Sequence, residues 1–268
     1  MEDTRHDPAG PYLAQMRAQA PLVHNITNFV AMNTMANVLL AAGASPAMVH
    51  AREEVAEFAA LAQALTVNVG TIDPIWAEAM EQAAQAIRAA GRPWVLDPVG
   101  VGATRFRRAV CDRLLRLRPD VIRGNASEIL ALAGGGATGR GADSADPVEA
   151  ALEAARDLAR RTGGVVAVSG PVDHVTDGTQ VFRVANGHPL MTRVTALGCA
   201  LNGVIAAFVA DDRPALPATL AALAYYGAAG EHAARHASGP GGFQIAFLDA
   251  LHAMTPDQLS AAARISAA

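Results

Sequence analysis

The 268-residue sequence predicts an α/β protein in which helices cover both faces of a mostly parallel central sheet. Two observations support this class. Short apolar runs alternate with helical patterns as far as Gly170, and turn or cap residues separate them. The hydrophobic fraction of 51% provides a sizeable core, which must be mostly aliphatic because aromatic residues make up only 4%. We expect one domain over residues 1–268.

The first elements are predicted from apolar spacing and from cap residues. Residues 1–20 are expected to be a weakly ordered tail leading into a short helix, and residues 21–25 a loop. Either Thr27 or Asn28 can cap a helix that runs to about residue 42, where Gly43 ends it. A short strand over residues 47–50 and a helix over residues 52–65 follow.

From Thr66 onwards strands and helices alternate regularly. Strands are predicted to start at Thr66, Pro93, Val121 and Val165, and helices to cover residues 73–90, 104–117, 125–134 and 147–162. Proline in the first turn supports the first of these helices, and an Asn125–Glu128 capping box supports the third. Residues 134–146 are expected to form a glycine-rich loop. Ligands of such sheets bind at the carboxyl ends of the strands, so the residues there are candidates for the site.

After Gly170 the pattern changes to a hairpin and then to helices. Residues 174–176 and 180–184 flank Asp177-Gly178, which predicts a tight turn between two antiparallel strands. Asn186-Gly187 marks another turn. Beyond Cys199 the sequence is predicted to be almost entirely helical, over residues 199–210, 218–236, 242–253 and 255–263.

All 21 basic residues are arginine, and the sequence contains no lysine. This excludes a P-loop lysine and a lysine Schiff base, including one to pyridoxal phosphate. A phosphate ligand must therefore meet arginine, a metal ion or backbone N–H groups. The net charge of −4 and the lack of a basic stripe predict no nucleic acid or anionic membrane partner.

Cysteine usage and the amino-terminal residues predict a cytoplasmic protein. Cys111 and Cys199 are too few for a disulfide scaffold, and no secretory signal pattern is present. The uncharged residues 26–49 include several polar side chains, with Asn33 and Asn37 on one helix face. Because such amides are costly in lipid, we expect a buried helix of a soluble protein and no membrane span.

Polar groups end three predicted strands. Asp97 ends one buried strand, Arg123 ends the next, and Ser169 ends the fifth. A carboxylate and an arginine on neighbouring strand ends suit a site for a metal ion and a phosphate. Each group also has an ordinary interpretation: Asp97 in a turn, Arg123 in a surface ion pair, and Glu128 in a helix cap.

The segment TALGCALN, which starts at Thr195, is more specific. Gly198 allows close approach of a ligand, and the N–H groups of the following helix form an anion site that needs no lysine. Cys199 lies on that first turn, where a thiol pKa is expected to fall, so it could act as a base. A buried structural cysteine is the alternative, and it is the preferred interpretation for Cys111.

These motifs together resemble the hydroxyethylthiazole kinase family of the ribokinase-like superfamily. The resemblance implies a three-layer ribokinase-like fold and ATP-dependent phosphorylation of the hydroxyl of 4-methyl-5-(2-hydroxyethyl)thiazole, with Mg²⁺, in thiamine biosynthesis. It also implies a homotrimer with sites at subunit boundaries. The matching segments follow one another in order: HNITNFV at His24, ASPAMVHAREEV at Ala44, NVGT at Asn68, LDPVGVGAT at Leu96, RGNASEI at Arg123, SGPVD at Ser169, TALGCALN at Thr195 and GPGGFQ at Gly239.

The resemblance further implies a role for each matching residue. One departure concerns position 196, where the family usually has glycine and this sequence has Ala196. If the backbone there has a positive φ, alanine costs about 1 kcal/mol or more; if not, it only adds a methyl group near the substrate. The implied roles are substrate contact for Met48 and Ala196, ATP binding for Arg123 and Ser169, coordination around Mg²⁺ for Asp97 and Glu128, an anion hole for Leu197, Gly198 and Cys199, and catalysis for Cys199.

Three alternatives stay open on the sequence. The first is another ribokinase-like small-alcohol kinase, such as a hydroxymethylpyrimidine kinase. The second is a cysteine-dependent hydrolase built on Cys199 and a histidine, which predicts an acyl-enzyme and no need for ATP. The third is a degenerate protein that binds the thiazole without phosphorylating it.

Overall fold

The computed structural model describes residues 9–134, 147–211 and 213–268. These residues form strands and helices that alternate through the first two thirds of the chain, as the sequence predicts. The described strands are β1 (Leu22–Ile26), β2 (Ser45–Ala47), β3 (Ala64–Asn68), β4 (Trp94–Asp97), β5 (Val121–Asn125), β6 (Val165–Ser169), β7 (Asp173–Thr176), β8 (Val181–Val184) and β9 (Ile265–Ala267).

Helices make up most of the remaining described residues. A short 3₁₀ helix, Pro189–Arg193, connects β8 to the helical last third of the chain. The α-helices are α1 (Ala9–Gln19), α2 (Met32–Ala42), α3 (Val55–Leu61), α4 (Pro74–Ala89), α5 (Arg105–Arg116), α6 (Ala126–Ala133), α7 (Pro147–Thr162), α8 (Leu197–Val209), α9 (Ala215–Ala234), α10 (Pro240–Ala253) and α11 (Pro256–Ala262).

The strands form a single mixed sheet in the order β2-β1-β3-β4-β5-β6-β7-β8-β9. Pairing is parallel from β2 through β6 and antiparallel from β6 through β9. The carboxyl ends of the six parallel strands therefore lie along one edge of the sheet, which we call the rim. The rim is formed by the strand-end residues Ile26, Ala47, Asn68, Asp97, Asn125 and Ser169 and the residues that directly follow them.

Helices cover both faces of the sheet, which confirms the predicted three-layer α/β architecture. Alternate side chains of the buried strands point to opposite faces, with Val95 and Val121 on one face and Leu96 and Ile122 on the other. The first face packs against α1, α2, α8, α9 and α10, and the second against α3 to α7. Both cores consist mainly of aliphatic side chains, as the low aromatic content requires.

The helices from α4 to α7 are confirmed because their signals are local. The Asp73 side chain accepts a hydrogen bond from Trp76 N (2.8 Å) at the start of α4. Asn125 and Glu128 form the predicted capping box of α6, and Gly134 ends that helix in the left-handed conformation. The rest of the predicted glycine-rich loop, residues 135–146, lies outside the described residues.

Several predictions for the first 68 residues were wrong. Residues 21–25 are mostly strand β1, not a loop, because its polar side chains have tertiary partners: Asn25 Oδ1 accepts a hydrogen bond from Thr66 Oγ1 (2.9 Å). The helix predicted over 52–65 ends at Leu61, since residues 64–68 pair with β1 and β4 as β3. The strand predicted over 47–50 is β2, Ser45–Ala47.

The predicted start of the second helix was also wrong. Helix α2 begins at Met32, and neither Thr27 nor Asn28 is its N-cap. Asn28 Oδ1 instead accepts a hydrogen bond from Ala31 N (3.0 Å), in a turn that precedes the helix. Gly43 ends the helix in the left-handed conformation, as predicted.

Helix α1 is the short helix predicted near the start of the chain. Leu13 and Met16 are fully buried, and the Arg17 guanidinium donates to Leu251 O (2.6 Å) and Met254 O (2.7 Å). Residues 1–8 of the predicted tail lie outside the described residues.

The hairpin predicted after Gly170 is confirmed as β7 and β8, joined around Asp177-Gly178. Strand β9 was not predicted; it adds to the outer edge of β8 after the last helix. In α2 the Asn37 side chain donates to Asn33 Oδ1 (3.1 Å), and both amides are exposed, so the face that carries them is not buried as expected. Among the described helices, none has the length and apolar character needed to cross a bilayer.

Candidate active site

The rim brings together most of the residues that the sequence singled out. Helix α8 packs on β1, β3 and β4, so its first turn, with Gly198 and Cys199, faces the middle of the rim. Neighbouring strands are about 4.8 Å apart, so the six strand ends extend over roughly 24 Å. In spatial order the polar or sulfur-bearing groups along the rim are Met48 after β2, Asn28 after β1, Asn68 on β3, Asp97 on β4, Arg123 on β5 and Ser169 on β6.

Asp97 is a buried carboxylate held by two amides. Its Oδ2 accepts hydrogen bonds from Asn68 Nδ2 (2.5 Å) and Asn202 Nδ2 (2.8 Å). Burial raises the pKa of Asp97 to about 7 because the charged form loses water, although the positive charge of Arg123 opposes this rise. Among the described residues, the hydrogen bonds to the Asp97 carboxylate both go to Oδ2, which leaves Oδ1 for another ligand.

Two buried asparagines connect Asp97 to Cys199. The Asn28 amide nitrogen donates to Asn68 Oδ1 (2.9 Å) and to Cys199 Sγ (3.4 Å), and Asn68 in turn donates to Asp97. Gly70 N also donates to Asn68 Oδ1 (2.9 Å). A Cβ atom on Gly70 would lie 2.8 Å from Asn28 Cβ, so only glycine leaves room for this chain of amides.

The sequence predicted no catalytic or binding role for Asn28, Asn68 or Asn202. Each is at least 94% buried, and each has a partner that is distant in the sequence. The signal that could have found them is their position inside the segments HNITNFV, NVGT and TALGCALN, which carry the family resemblance.

The expected fall of the Cys199 pKa was wrong. Cys199 does lie on the first turn of α8, but burial raises the pKa of its thiol, and the nearby negative charge of Asp97 raises it further. The Asn28 and Asn68 amides and Arg123 oppose this rise. Cys111 is fully buried and its pKa is raised to about 12 by burial, as expected for a core thiol.

Helix α8 begins after a residue in the left-handed conformation. Ala196 is its N-cap, with φ 65° and ψ 0°, so the positive-φ alternative for this position is the correct one. Alanine in this conformation costs about 1–2 kcal/mol that glycine avoids. The turn places the N–H groups of Leu197, Gly198 and Cys199 at the amino end of the helix, where its dipole favours an anion.

Arg123 connects Ser169 on the rim to the first turn of α8. Its Nε donates to Ser169 Oγ (2.7 Å) and its Nη1 donates to Gly198 O (3.1 Å). Within the described part of the chain Arg123 forms no ion pair, so the surface ion pair interpretation does not hold there. Its Nη2 remains available for a ligand close to the start of α8.

The Glu128 side chain hydrogen-bonds the backbone near the ends of β4 and β5. Its two carboxylate oxygens accept hydrogen bonds from Gly100 N (3.0 Å) and Asn125 N (2.9 Å), and its negative charge contributes to the raised pKa of Asp97. The cap interpretation is therefore correct, and each oxygen keeps a second lone pair. Across the described residues, no three His, Cys, Asp or Glu side chains group as a metal cage.

Met48 lies at the opposite end of the rim from Ser169. It is half-buried and packs on the core that includes α2 and α8. The next residue is held in place by His24, whose Nε2 hydrogen-bonds Val49 O (2.7 Å). Burial lowers the pKa of His24, so its ring is neutral at pH 7.

The arrangement combines an arginine, two carboxylates, a helix amino end and a thiol along one edge. It suits transfer of a phosphoryl group to a small acceptor, a reaction that depends on positioning and charge neutralisation. It does not suit a cysteine hydrolase, because among the described residues Cys199 hydrogen-bonds Asn28 and no histidine.

The fold and the rim define a protein of the ribokinase-like class. A solved pyridoxal kinase from Staphylococcus aureus, in complex with AMP-PCP and pyridoxal, shares the fold with a TM-score of 0.58. The match covers 79% of this chain and 88% of that chain at 15% identity. A solved hydroxyethylthiazole kinase protein from Pyrococcus horikoshii OT3 matches with a TM-score of 0.89 at 42% identity, covering 97% of this chain and 98% of that one.

Sequence comparison identifies the family. The sequence profile of the Hydroxyethylthiazole kinase family matches residues 13–257. A hydroxyethylthiazole kinase of Cereibacter sphaeroides is 66% identical over 98% of this chain and 100% of its own length. One from Rhizobium leguminosarum bv. trifolii is 58% identical over 97% of each chain. The chain belongs to the hydroxyethylthiazole kinase family.

Proposed function

We propose that this chain transfers the γ-phosphoryl group of ATP to the hydroxyl of 4-methyl-5-(2-hydroxyethyl)thiazole, in thiamine biosynthesis or salvage. The observation that carries this proposal is the 66% identity to a curated hydroxyethylthiazole kinase over nearly the whole chain. The hydroxyl oxygen bonds to the γ-phosphorus as the bond to the β–γ bridging oxygen breaks. The products are the thiazole phosphate, ADP and the proton that leaves the hydroxyl.

ATP is proposed to lie along the β5–β6 end of the rim. The Ser169 hydroxyl and the Arg123 guanidinium are 2.7 Å apart there, and Arg123 has a free Nη2 for the phosphates. The γ-phosphoryl group then faces the N–H groups of Leu197, Gly198 and Cys199 at the start of α8. This placement needs no lysine, in agreement with the composition.

Mg²⁺ is proposed to bind near Asp97 and Glu128. The free Oδ1 of Asp97 and the remaining lone pairs of Glu128 are oxygen ligands of the kind that Mg²⁺ prefers. Two carboxylates fit an ion that completes its shell with water and nucleotide phosphates rather than with a full protein cage. When bound, the ion would neutralise charge on the transferring group.

The acceptor is proposed to occupy the β1–β2 side of the rim. Its ring lies near the Met48 thioether, which suits an aromatic heterocycle, and beside the Ala196 backbone. Its hydroxyl lies within reach of Cys199. Only the thiolate form of Cys199 can take the hydroxyl proton, and the raised pKa makes that form the minor one at pH 7. A loose transition state needs little help from a base, because the hydroxyl proton leaves late.

We also propose a homotrimer with sites at subunit boundaries, as the resemblance implies. Phe29 and Val30 directly follow Asn28 and are 62% and 59% exposed, and Ile75 is 54% exposed. Phe29 contacts the Trp76 ring (centroids 4.8 Å apart), so these residues form an apolar surface beside the site. Light scattering should give three times the 27.6 kDa chain mass, and Phe29→Asp should lower it. A monomeric mass for the unmodified chain would contradict the trimer.

A cytoplasmic location is proposed on the state of the cysteines. Cys111 and Cys199 are both free thiols, which agrees with a reducing compartment. Fractionation of cells that express a tagged chain would test this, and recovery outside the cytoplasm would contradict it.

A coupled ADP-release assay tests the activity. With the thiazole alcohol, ATP and Mg²⁺, we expect ADP and thiazole phosphate to form in equal amounts, and chelation of Mg²⁺ should stop both. The pyrimidine methanol serves as the comparison acceptor. Faster turnover of that alcohol would favour the other ribokinase-like kinase, and thiazole binding without any phosphorylated product would indicate a degenerate protein.

A further inference from the structure

The anion-hole N–H groups belong to three consecutive peptide planes at the start of α8. In a planar trans peptide the carbonyl points away from the N–H of the next residue, so holding the carbonyl fixes the direction of the N–H. Ala196 O accepts a hydrogen bond from Ala200 N (2.9 Å), within the first turn. Gly198 O accepts hydrogen bonds from Arg123 Nη1 (3.1 Å) and Asn202 Nδ2 (3.3 Å).

The middle peptide plane is held by Tyr226. Its hydroxyl donates a 2.8 Å hydrogen bond to Leu197 O, across 29 residues of sequence. This peptide also carries the Gly198 N–H, the central donor of the proposed anion hole. Because the first turn of a helix lacks part of the usual backbone hydrogen bonding, a tertiary contact there has more influence on geometry than one in the helix interior.

Tyr226 is itself rigidly placed. It lies on α9, is 2% exposed, and its ring packs edge-on against Phe247 with centroids 4.8 Å apart. Burial raises the pKa of Tyr226, so the phenol stays protonated and remains a donor at any working pH. Its hydroxyl is therefore a fixed reference point behind the anion hole.

We propose that Tyr226 is a positioning residue for phosphoryl transfer, which aligns the Gly198 N–H on the transferring group by holding Leu197 O. This inference rests on the proposed function. Arg123 hydrogen-bonds the neighbouring Gly198 carbonyl. Helix α9 and strand β5 therefore hold adjacent peptides in the first turn of α8. The alignment acts in the transition state, where charge on the transferring oxygens meets the N–H groups, and contributes little to binding of ATP.

Tyr226→Phe tests the proposal, with Tyr225→Phe as the matched control. Tyr225 is the next residue on the same helix, is fully buried, and donates a hydrogen bond to Leu251 O (2.5 Å), away from the rim. Each variant loses a buried hydroxyl-to-carbonyl hydrogen bond, and Tyr225→Phe also loses the acceptor of the Arg17 Nη2 hydrogen bond (3.4 Å). Both should therefore lower the unfolding temperature, Tyr225→Phe by at least as much as Tyr226→Phe. Only Tyr226→Phe should lower kcat, by about tenfold or about 1.4 kcal/mol, with the KM for ATP unchanged.

A second measurement separates positioning from general destabilisation. Binding of MgADP with aluminium fluoride mimics the transferring phosphoryl group, and Tyr226→Phe should weaken it about tenfold while MgADP alone binds as before. Equal kcat in the two variants, or a loss confined to the KM for ATP, would overturn the proposal.

The same variants keep the inference testable if the proposed activity fails. In ligand-free ¹⁵N-labelled protein, Tyr226→Phe should shift the amide resonance of Gly198, and Tyr225→Phe should not. An unmoved Gly198 resonance would refute the positioning role. Absence of turnover by the unmodified chain, with that shift present, would refute only the proposed function.

Discussion

Ala196→Gly is expected to stabilise this protein, because position 196 requires a backbone conformation that alanine adopts at a cost. Ala196 has φ 65° and ψ 0° as the N-cap of α8. The left-handed region brings Cβ too close to the backbone, which costs about 1–2 kcal/mol for an L-residue. Glycine removes that cost and populates the region freely.

The net gain in the free energy of unfolding is smaller than the strain energy, because glycine also raises the conformational entropy of the unfolded chain. This entropy contributes about 0.4–1 kcal/mol of free energy against folding. The free energy of unfolding should therefore rise by about 0.5–1 kcal/mol. For a chain of this size, 1 kcal/mol corresponds to about 2–4 °C, so the unfolding temperature should rise by about 1–4 °C. The turn keeps its shape, so kcat should stay within about twofold.

Ala20→Gly is the matched control for this substitution. Ala20 has φ 44°, is exposed, and precedes β1 at the edge of the sheet opposite the rim. Urea unfolding, followed by circular dichroism, should show a similar gain for both variants, and the gains should add in the double variant because the sites are distant. A destabilised Ala196→Gly beside a stabilised Ala20→Gly would refute the reasoning, since it would mean that the Ala196 methyl group contributes more than the strain costs.

Three further predictions concern the charged and nucleophilic groups. Cys199→Ala should lower kcat by about tenfold or more and leave the KM for ATP within about twofold; undiminished turnover in steady-state assays would remove the base assignment. Arg123→Ala should raise the KM for ATP by about tenfold or more, since a hydrogen bond to a charged group is lost, and an unchanged KM would contradict its ATP-binding role. Asp97 has a folded-state pKa of about 7 against an ordinary 3.8, so in Mg²⁺-free buffer its contribution favours folding below about pH 4 and is lost as the pH rises to 7. Asp97→Asn should therefore be more stable than the unmodified chain at pH 8, by up to about 4 kcal/mol in urea unfolding, and this difference should shrink at pH 5; an equal dependence on pH in both proteins would contradict the raised pKa.

The helices that could be predicted are those whose signals lie within a few residues of one another. Asp73, Thr104 and Asn125 each cap a helix by accepting a hydrogen bond from a backbone N–H three residues on. Such contacts form in almost any tertiary setting, so sequence spacing predicts them. Strand β1 was not predicted, because His24 and Asn25 interrupt its apolar pattern. The hydrogen-bond partners of these two side chains are Val49 and Thr66, which are distant in the sequence.

The candidate site also contains positions that the sequence predicts and contacts that it does not. The strand-end positions of Asp97 and Ser169 and the first-turn position of Cys199 follow from the alternating pattern and are present in the structure. The predicted strand-end position of Arg123 was wrong, because β5 continues through Gly124 to Asn125 and pairs with β6 over that length. The roles of these residues remain predictions for the kinetic experiments. The amides that connect Asp97 to Cys199 could not be predicted from spacing, because Asn28 and Cys199 are 171 residues apart.

The sequence by itself determined the class of fold, the family and the absence of any lysine-based phosphate site. It determined these because periodicity, caps and family motifs are properties of contiguous residues. Only the tertiary structure decided the direction of the pKa shifts in the site and the backbone strain at Ala196. Burial beside Asp97 raises the Cys199 pKa that a helix amino end alone would lower, and Ala196 at the start of α8 has the left-handed conformation that the sequence left open. Both effects depend on what surrounds a group in space, and local sequence does not record it.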